Sequence, residues 1–361
     1  TSRPTLPNLR INNPMKDLKL LVRPNILALE PYSSARDEYK DTGNGIFLDA
    51  NESPFNMPDN RYPDPHQEQI KNQLSRIKGI APQKIFLGNG SDEAIDLVFR
   101  VFCTPQRDNV VSISPTYGMY EVAAHINDTE YRSLQLDEHF SFRAENLLQL
   151  TNERTKAIFL CSPNNPTGNV LPDAEITKVL EQFQGMVVID EAYIDFSNTP
   201  SLLQQLDKYP NLIVLQTFSK AWGAAGIRLG MAFAHPDVIQ LFNKVKYPYN
   251  VNALTQREAL NLLKKRFDVN KWVRTIVEEK LRVAEAIRQL PFCQKIYPSD
   301  ANFLLVKMNN AQEIYDYLLE RRIIVRNRTH TPLCQNCLRI TIGSATENTR
   351  LLAALRQYPA S

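Results

Sequence analysis

The sequence predicts an α/β protein: a large domain on a mostly parallel sheet covered by helices, followed by a smaller α+β domain. Three observations carry this. From about residue 46 to 235, short continuous apolar runs bounded by turn residues alternate with helical patterns. Strands buried on both faces read this way, whereas half-exposed strands alternate residue by residue. One sustained 3.6-residue apolar period follows, and after it the order changes to strand, helix, strand, strand, helix.

Taken in order, the runs are KIFLGNG (84–90), NVVSISP (109–115), KAIFLCSP (156–163), MVVIDEAY (186–193), LIVLQTFSK (212–220) and LGMAFAH (229–235). The helical period uses Val269, Trp272, Val273, Ile276, Val277, Leu281, Ala284 and Ile287. It stops before Pro291, which cannot continue a helix. NFLLVKM (302–308), a helix around 311–322, IIVRN (323–327), CLRITIG (337–343) and a last helix complete the small domain. The expected organisation is an N-terminal arm (1–45) packing on the small domain or a dimer partner, a large domain (46–265) and a small domain (266–361).

Composition narrows the function. With 361 residues, 43% hydrophobic and 22% charged, the chain reads as globular, and its length favours two unequal domains. A net charge of +3 without a basic stripe argues against nucleic acid as a partner. No apolar run approaches the ~20 residues that span a bilayer, and TSRPTLPNLRINNP lacks the apolar centre of a secretory signal. The five cysteines, Cys103, Cys161, Cys293, Cys334 and Cys337, are scattered and odd in number, which points to a reducing, cytoplasmic setting. His330, Cys334 and Cys337 fall short of a zinc site because no fourth ligand is suitably spaced, so no metal is expected.

Ligands of open α/β sheets bind beyond the carboxyl ends of the strands, so the polar residues there matter most. The first run ends in GNGSDEAID, a glycine turn into a helix start. It suits a phosphate, although Ser91 and Asp92 would also serve as plain caps. The third ends in SPNNPTG, where Pro163 and Pro166 bracket Asn164 and Asn165; Asn-Pro is a candidate for the cis isomer. The fourth ends in Asp190-Glu191-Ala192-Tyr193, and a carboxylate directly after buried strand residues needs a cationic partner. The fifth ends in Ser219-Lys220 with Arg228 beyond. A reactive lysine needs its cation destabilised, and Arg228 is a neighbour that would do so; glycines 223, 226 and 230 would let a ligand approach the backbone. Each feature has an ordinary structural explanation by itself. Together they describe one ligand, pyridoxal 5′-phosphate (PLP): its aldehyde on Lys220, its phosphate on the helix start and Arg228, its ring nitrogen on Asp190.

LDANESP (48–54), RYPDP (61–65), GNGSDEAID, SPTYGMYEV (114–122), CSPNNPTGNV, VIDEAY, TFSKAWGAAGIRLG (217–230) and CLRITIG cover nearly the whole chain. In them the sequence resembles the fold-type I PLP-dependent aminotransferases, and LDANESP, RYPDP and GNGSDE point to their histidinol-phosphate branch. The resemblance implies that Lys220 carries the cofactor and moves the proton, that Asp190 keeps the ring nitrogen protonated, and that Tyr193 and Asn165 bond the ring oxygen. It further implies that Tyr117 stacks on the ring, while Thr217, Ser219, Arg228 and the amides of Ser91 and Asp92 hold the phosphate. Tyr62 would reach that phosphate from the second subunit of a homodimer. Arg339 would bind the substrate carboxylate, with Arg326 and Tyr32 helping to bind a substrate phosphate. The stretch from His330 to Asn336 departs from the family pattern, and no residue is assigned to an imidazole ring. The implied reaction is transamination between histidinol phosphate and 2-oxoglutarate. An aromatic amino-acid aminotransferase or a threonine-phosphate decarboxylase is the alternative on the same fold. A non-catalytic PLP-binding regulator would need a DNA-binding domain that residues 1–45 are too short to hold.

Overall fold

The computed structural model describes residues 17–32 and 46–359. Its helices are α1 (Leu18–Leu21), α2 (Pro24–Ala28), α3 (Glu68–Lys78), α4 (Gly90–Phe102), α5 (Met119–Ile126), α6 (Ala144–Leu148), α7 (Asp173–Gln182), α8 (Pro236–Val245), α9 (Ala253–Lys264), α10 (Arg266–Arg288), α11 (Ala311–Glu320) and α12 (Ala345–Arg356). The large sheet contains β1 (Ile85–Asn89), β2 (Asn109–Ser114), β3 (Glu130–Gln135), β4 (Thr155–Cys161), β5 (Met186–Asp190), β6 (Leu212–Thr217) and β7 (Leu229–Ala234). They run in the order β1-β7-β6-β5-β4-β2-β3. From β3 to β6 every pairing is parallel, while β7 is antiparallel to both neighbours, so β1 points the same way as the other five.

Alternation along the central strands explains the continuous apolar runs. On β5, Val187 and Ile189 enter one core with α3, α6 and α7; Met186 and Val188 enter another with α4, α5 and α8. Both faces are therefore covered, and polar residues are left to the strand ends. The six apolar runs expected in the large domain all became strands, but β3 (EYRSLQ) was not among them. As the sheet's edge, none of its residues is buried, so it carries no apolar run.

A second sheet holds β8 (Cys293–Ile296), β9 (Phe303–Met308), β10 (Arg326–Asn327) and β11 (Cys337–Thr341), antiparallel throughout in the order β10-β11-β9-β8. Residues of α10, α11 and α12 such as Val283, Ile287, Leu318 and Leu352 cover it. The two sheets are joined by packing: Ala301, Phe303, Leu305, Cys334 and Cys337 belong to the same core as β5 and α7. Of IIVRN, only Arg326 and Asn327 form a strand, and β8 is a further edge strand that its sequence, CQKI, conceals.

The long helix departs from its apolar pattern in one respect. Trp272 and Leu281 are exposed, while Lys280 is buried. Its ammonium donates to Ser299 O (2.6 Å) and Ala301 O (2.8 Å), which supplies the partners a buried cation needs. The described part of the N-terminal arm packs on the large body. Leu21, Val22 and Ile26 enter the α4–α8 core, and Arg23 N donates to Val101 O. Within the chain, residues 17–28 thus sit on the large body and not on the small domain, one of the two expected seats; the other is a dimer partner, and residues 1–16 and 33–45 lie outside the described residues.

Candidate active site

Asp190 is the last residue of β5, paired in register with Cys161 and Leu215, and only 2% exposed. It accepts hydrogen bonds from Tyr120 Oη (2.8 Å) and Ala192 N (3.0 Å). Among the described residues no ion pair reaches it, so none of them supplies the cationic partner expected from sequence. Burial pushes its pKa up, and the two hydrogen bonds act in the opposite direction. Tyr120 was not suggested by the sequence. It lies fully buried on α5, stacked on Phe159 (5.2 Å) and edge-on to Tyr117 (5.6 Å). Its place three residues after Tyr117, across the turn that leads into α5, was the available signal.

Lys220 follows β6 by three residues, its Nζ 5.3 Å from the centre of the Tyr193 ring. Its pKa is lowered, first by burial, then by the Arg339 guanidinium; Arg228 contributes less. The destabilised cation expected from sequence is present, but its main charged neighbour is Arg339 on the other sheet. Tyr193 is nearly buried, edge-on to Phe303, and burial pushes its hydroxyl pKa up.

The helix start leaves first-turn amides open. Asn89, at the cap of α4, makes no side-chain cap, and Glu93 reaches back to its amide (2.6 Å), so Ser91 and Asp92 do not cap the helix. Their own amides find no acceptor among the described residues, as first-turn amides do when no ligand is bound. Arg228, at φ 53°, accepts from Gly90 N through its carbonyl and places its guanidinium 3.4 Å from Asp92. The glycines divide the work differently from the expectation. A Cβ on Gly230 would lie 2.0 Å from Ser91 N, so Gly230 admits the backbone of α4 against β7. Gly223 adopts a positive φ, and Gly226 faces open space. Tyr117 Oη donates to Asp92 (3.0 Å), and Thr217 Oγ1 donates to Ser219 Oγ (3.0 Å).

Opposite stands the small sheet. Arg326 and Arg339 are cross-strand partners on β10 and β11. Arg339 Nη1 donates to Asn165 Oδ1, and the Asn165–Pro166 bond is cis, as its sequence suggested. Asn164 instead ties loops together, through Pro115 O and Thr167. These groups share a cavity of about 1010 Å³. Every residue expected at the site lines it except Tyr62 and Tyr32. Tyr62 stacks on Tyr249 (4.5 Å) at a separate hollow, and Tyr32 is 74% exposed at the end of the described arm. Arg328, unassigned from sequence, also lines the cavity.

Residues 48–355 match the model of the aminotransferase class I and II family. The chain belongs to this family. It is 59% identical over 344 residues to a histidinol-phosphate aminotransferase of Bacteroides thetaiotaomicron, covering 95% of this chain and 99% of the relative. In structure the aminotransferase resembles the histidinol-phosphate aminotransferase from Clostridium acetobutylicum (TM-score 0.75, 24% identity, 82% of this chain and 90% of that one). It also resembles that from Sinorhizobium meliloti in complex with pyridoxal-5′-phosphate (TM-score 0.74, 23% identity, 82% of each chain). At these identities the structural likeness speaks for the fold alone. The fit of the cofactor rests on the cavity itself. A buried carboxylate without an ion pair suits a protonated ring nitrogen, free helix-start amides beside Arg228 suit a phosphate, and Lys220 offers the amine.

Proposed function

We propose that this aminotransferase exchanges the amino group of L-histidinol phosphate with 2-oxoglutarate, giving imidazole acetol phosphate and glutamate in histidine biosynthesis, with PLP as cofactor. The observation that carries the proposal is the meeting of Lys220 and Asp190 with the Arg326–Arg339 pair in one cavity, and relatives named for this activity support the choice of substrate. An aromatic aminotransferase or a threonine-phosphate decarboxylase has no comparable support among those relatives.

Bound there, PLP supplies an aldehyde for the amino group and an electron sink for the charge developing at the substrate Cα. The chain does the rest. Asp190 would hold the ring nitrogen's proton, and Asn165 and Tyr193 would bond the ring oxygen. Tyr117 would cover the ring face, and the Ser91 and Asp92 amides, Thr217, Ser219 and Arg228 would grip the phosphate. Lys220, whose lowered pKa raises the share of neutral amine, takes the proton from the substrate Cα. Arg339 and Arg326 orient the substrate through its anionic group, with Tyr32 assisting. We further propose a homodimer in which Tyr62, off this cavity, serves the partner's phosphate, and a cytoplasmic location in keeping with the scattered thiols and phosphorylated substrate. Residues 46–265 would form the cofactor domain and 266–361 the substrate domain.

Two measurements test this. Borohydride reduction of the PLP-loaded protein, followed by peptide mapping, is expected to leave the pyridoxyl label on Lys220; a label elsewhere overturns the site. Mixing the loaded enzyme with histidinol phosphate alone is expected to bleach the cofactor absorbance. No response overturns the substrate.

A further inference from the structure

We propose that Arg328 is the residue that sets this site's preference for a phosphate over a carboxylate, acting with Arg326 and Arg339 as a three-guanidinium clamp. The inference rests on the substrate proposed above and extends it to a residue outside the family assignments carried over from sequence.

Arg328 continues the β10 ladder, its amide donating to Cys337 O at 2.9 Å. Two residues beyond Arg326, it lies on the same side of that strand edge, because side chains alternate along extended backbone. All three arginines line the cavity, and none has an ion-pair partner among the described residues. Arg328 Nε is buried without an acceptor, and so is Oγ1 of neighbouring Thr329. A buried unpaired donor leaves the guanidinium incompletely satisfied, and the mutual repulsion of three cations facing one cavity is unfavourable; an arriving anion relieves that repulsion. The Arg328 pKa is pulled down to about 10 by burial and then by Arg339 and Arg326, which reports the same crowding. A phosphate monoester brings nearly two charges and several acceptor oxygens where an α-carboxylate brings one charge and two oxygens.

The loop is built to hold Arg328 still. Thr331 N bonds Arg328 O, Cys334 N bonds Thr331 O, and Cys337 N bonds Cys334 O. Cys334 and Cys337 plug the core beneath; burial pushes their thiols to about 12 and about 11, so they stay protonated at neutral pH. The C-x-x-C pair is thereby explained as the anchor of this loop.

The test compares wild type, Arg328→Gln and Arg328→Lys as PLP-loaded enzymes, in which the cofactor's own phosphate cup is filled. In single turnovers, Arg328→Gln is expected to lose efficiency with histidinol phosphate at least about tenfold more than with glutamate, and Arg328→Lys to fall between. Equal losses on both substrates, or none, overturn the proposal. Binding of inorganic phosphate and of acetate, followed by fluorescence titration, reads the clamp without turnover. Arg328→Gln is expected to weaken phosphate about tenfold more than acetate; equal effects overturn the clamp. If wild type ignores histidinol phosphate yet phosphate binding depends on Arg328, the substrate fails and the clamp stands.

Discussion

On the wall that the large sheet gives to the cavity, the side chains of Asp190, Asp92, Thr217 and Ser219 already have partners within the chain, and the Ser91 and Asp92 amides are left open among the described residues. Asp190 accepts from Tyr120 and Ala192, Asp92 accepts from Tyr117 and Arg228, and Thr217 and Ser219 bond each other. On the wall given by the small sheet, Arg326, Arg328 and Arg339 face the same space, and among the described residues only Asn165, by a hydrogen bond, and the Phe303 ring, under Arg339, reach them with a side chain. The first wall is preorganised, so its dipoles need little rearrangement when the cofactor enters. The second is electrostatically unfinished and is completed by whatever anion the substrate carries. Lys220 lies between and responds to both, with burial on one side and Arg339 on the other.

Removing that middle element should have the largest effect. Lys220→Ala is expected to lower the single-turnover rate at least about a thousandfold. Its melting temperature should not fall, because a partly buried cation has been removed. A rate close to wild type would move the chemistry off Lys220. Arg339→Gln breaks the second wall and is expected to weaken both substrates about a hundredfold, read from their half-reactions. It should also alter the first wall's chemistry. Arg339 lowers the Lys220 pKa, so its loss raises that pKa and leaves less neutral amine at a given pH. In apoprotein, the pH profile for acetylation of Lys220 should then shift to higher pH. An unmoved midpoint would mean that the two walls are uncoupled.

Gly230→Ala tests the preorganisation itself. Its Cβ would meet Ser91 N at 2.0 Å and Gly90 C at 2.2 Å, backbone atoms that cannot swing away. The start of α4 must shift, and we expect a loss of about 2 kcal/mol or more in urea unfolding, with weaker cofactor binding. Gly226→Ala, three positions beyond Gly223 and with nothing within 4 Å, should stay within about 0.5 kcal/mol of wild type.

The difference between the walls also decided what could be foreseen. Strands buried on both faces announce themselves as apolar runs, so the residues at their ends, Asp190 and Lys220, could be placed from sequence. Edge strands carry no such signal, and β3 and β8 passed unseen. The small sheet's share of the site hangs on an edge strand of two residues, Arg326 and Asn327, followed by turns. Arg328 was therefore one more charge in a loop until the Cys337 carbonyl fixed its position. Tyr120 was hidden for the opposite reason. A tyrosine in a helix looks like core, and only the approach of α5 to the end of β5 turns its hydroxyl into a partner for Asp190.

That hydroxyl supports the smallest effect. Tyr120→Phe keeps the ring against Phe159 and removes one of the two donors to Asp190. Burial raises the Asp190 pKa in the folded protein, so its favourable contribution is complete below the unfolded value, about 3.9, and is lost as pH rises through the folded one. Without the hydroxyl the folded pKa rises further, and the ionised carboxylate is left with Ala192 N alone. The destabilisation of the apoprotein should therefore grow with pH, reaching about 1 kcal/mol where Asp190 is ionised and shrinking in acid. Urea unfolding at acidic and neutral pH measures this, alongside a few-fold loss of cofactor affinity at neutral pH. A loss independent of pH would assign Tyr120 to packing, because a filler of the core does not sense the charge on Asp190.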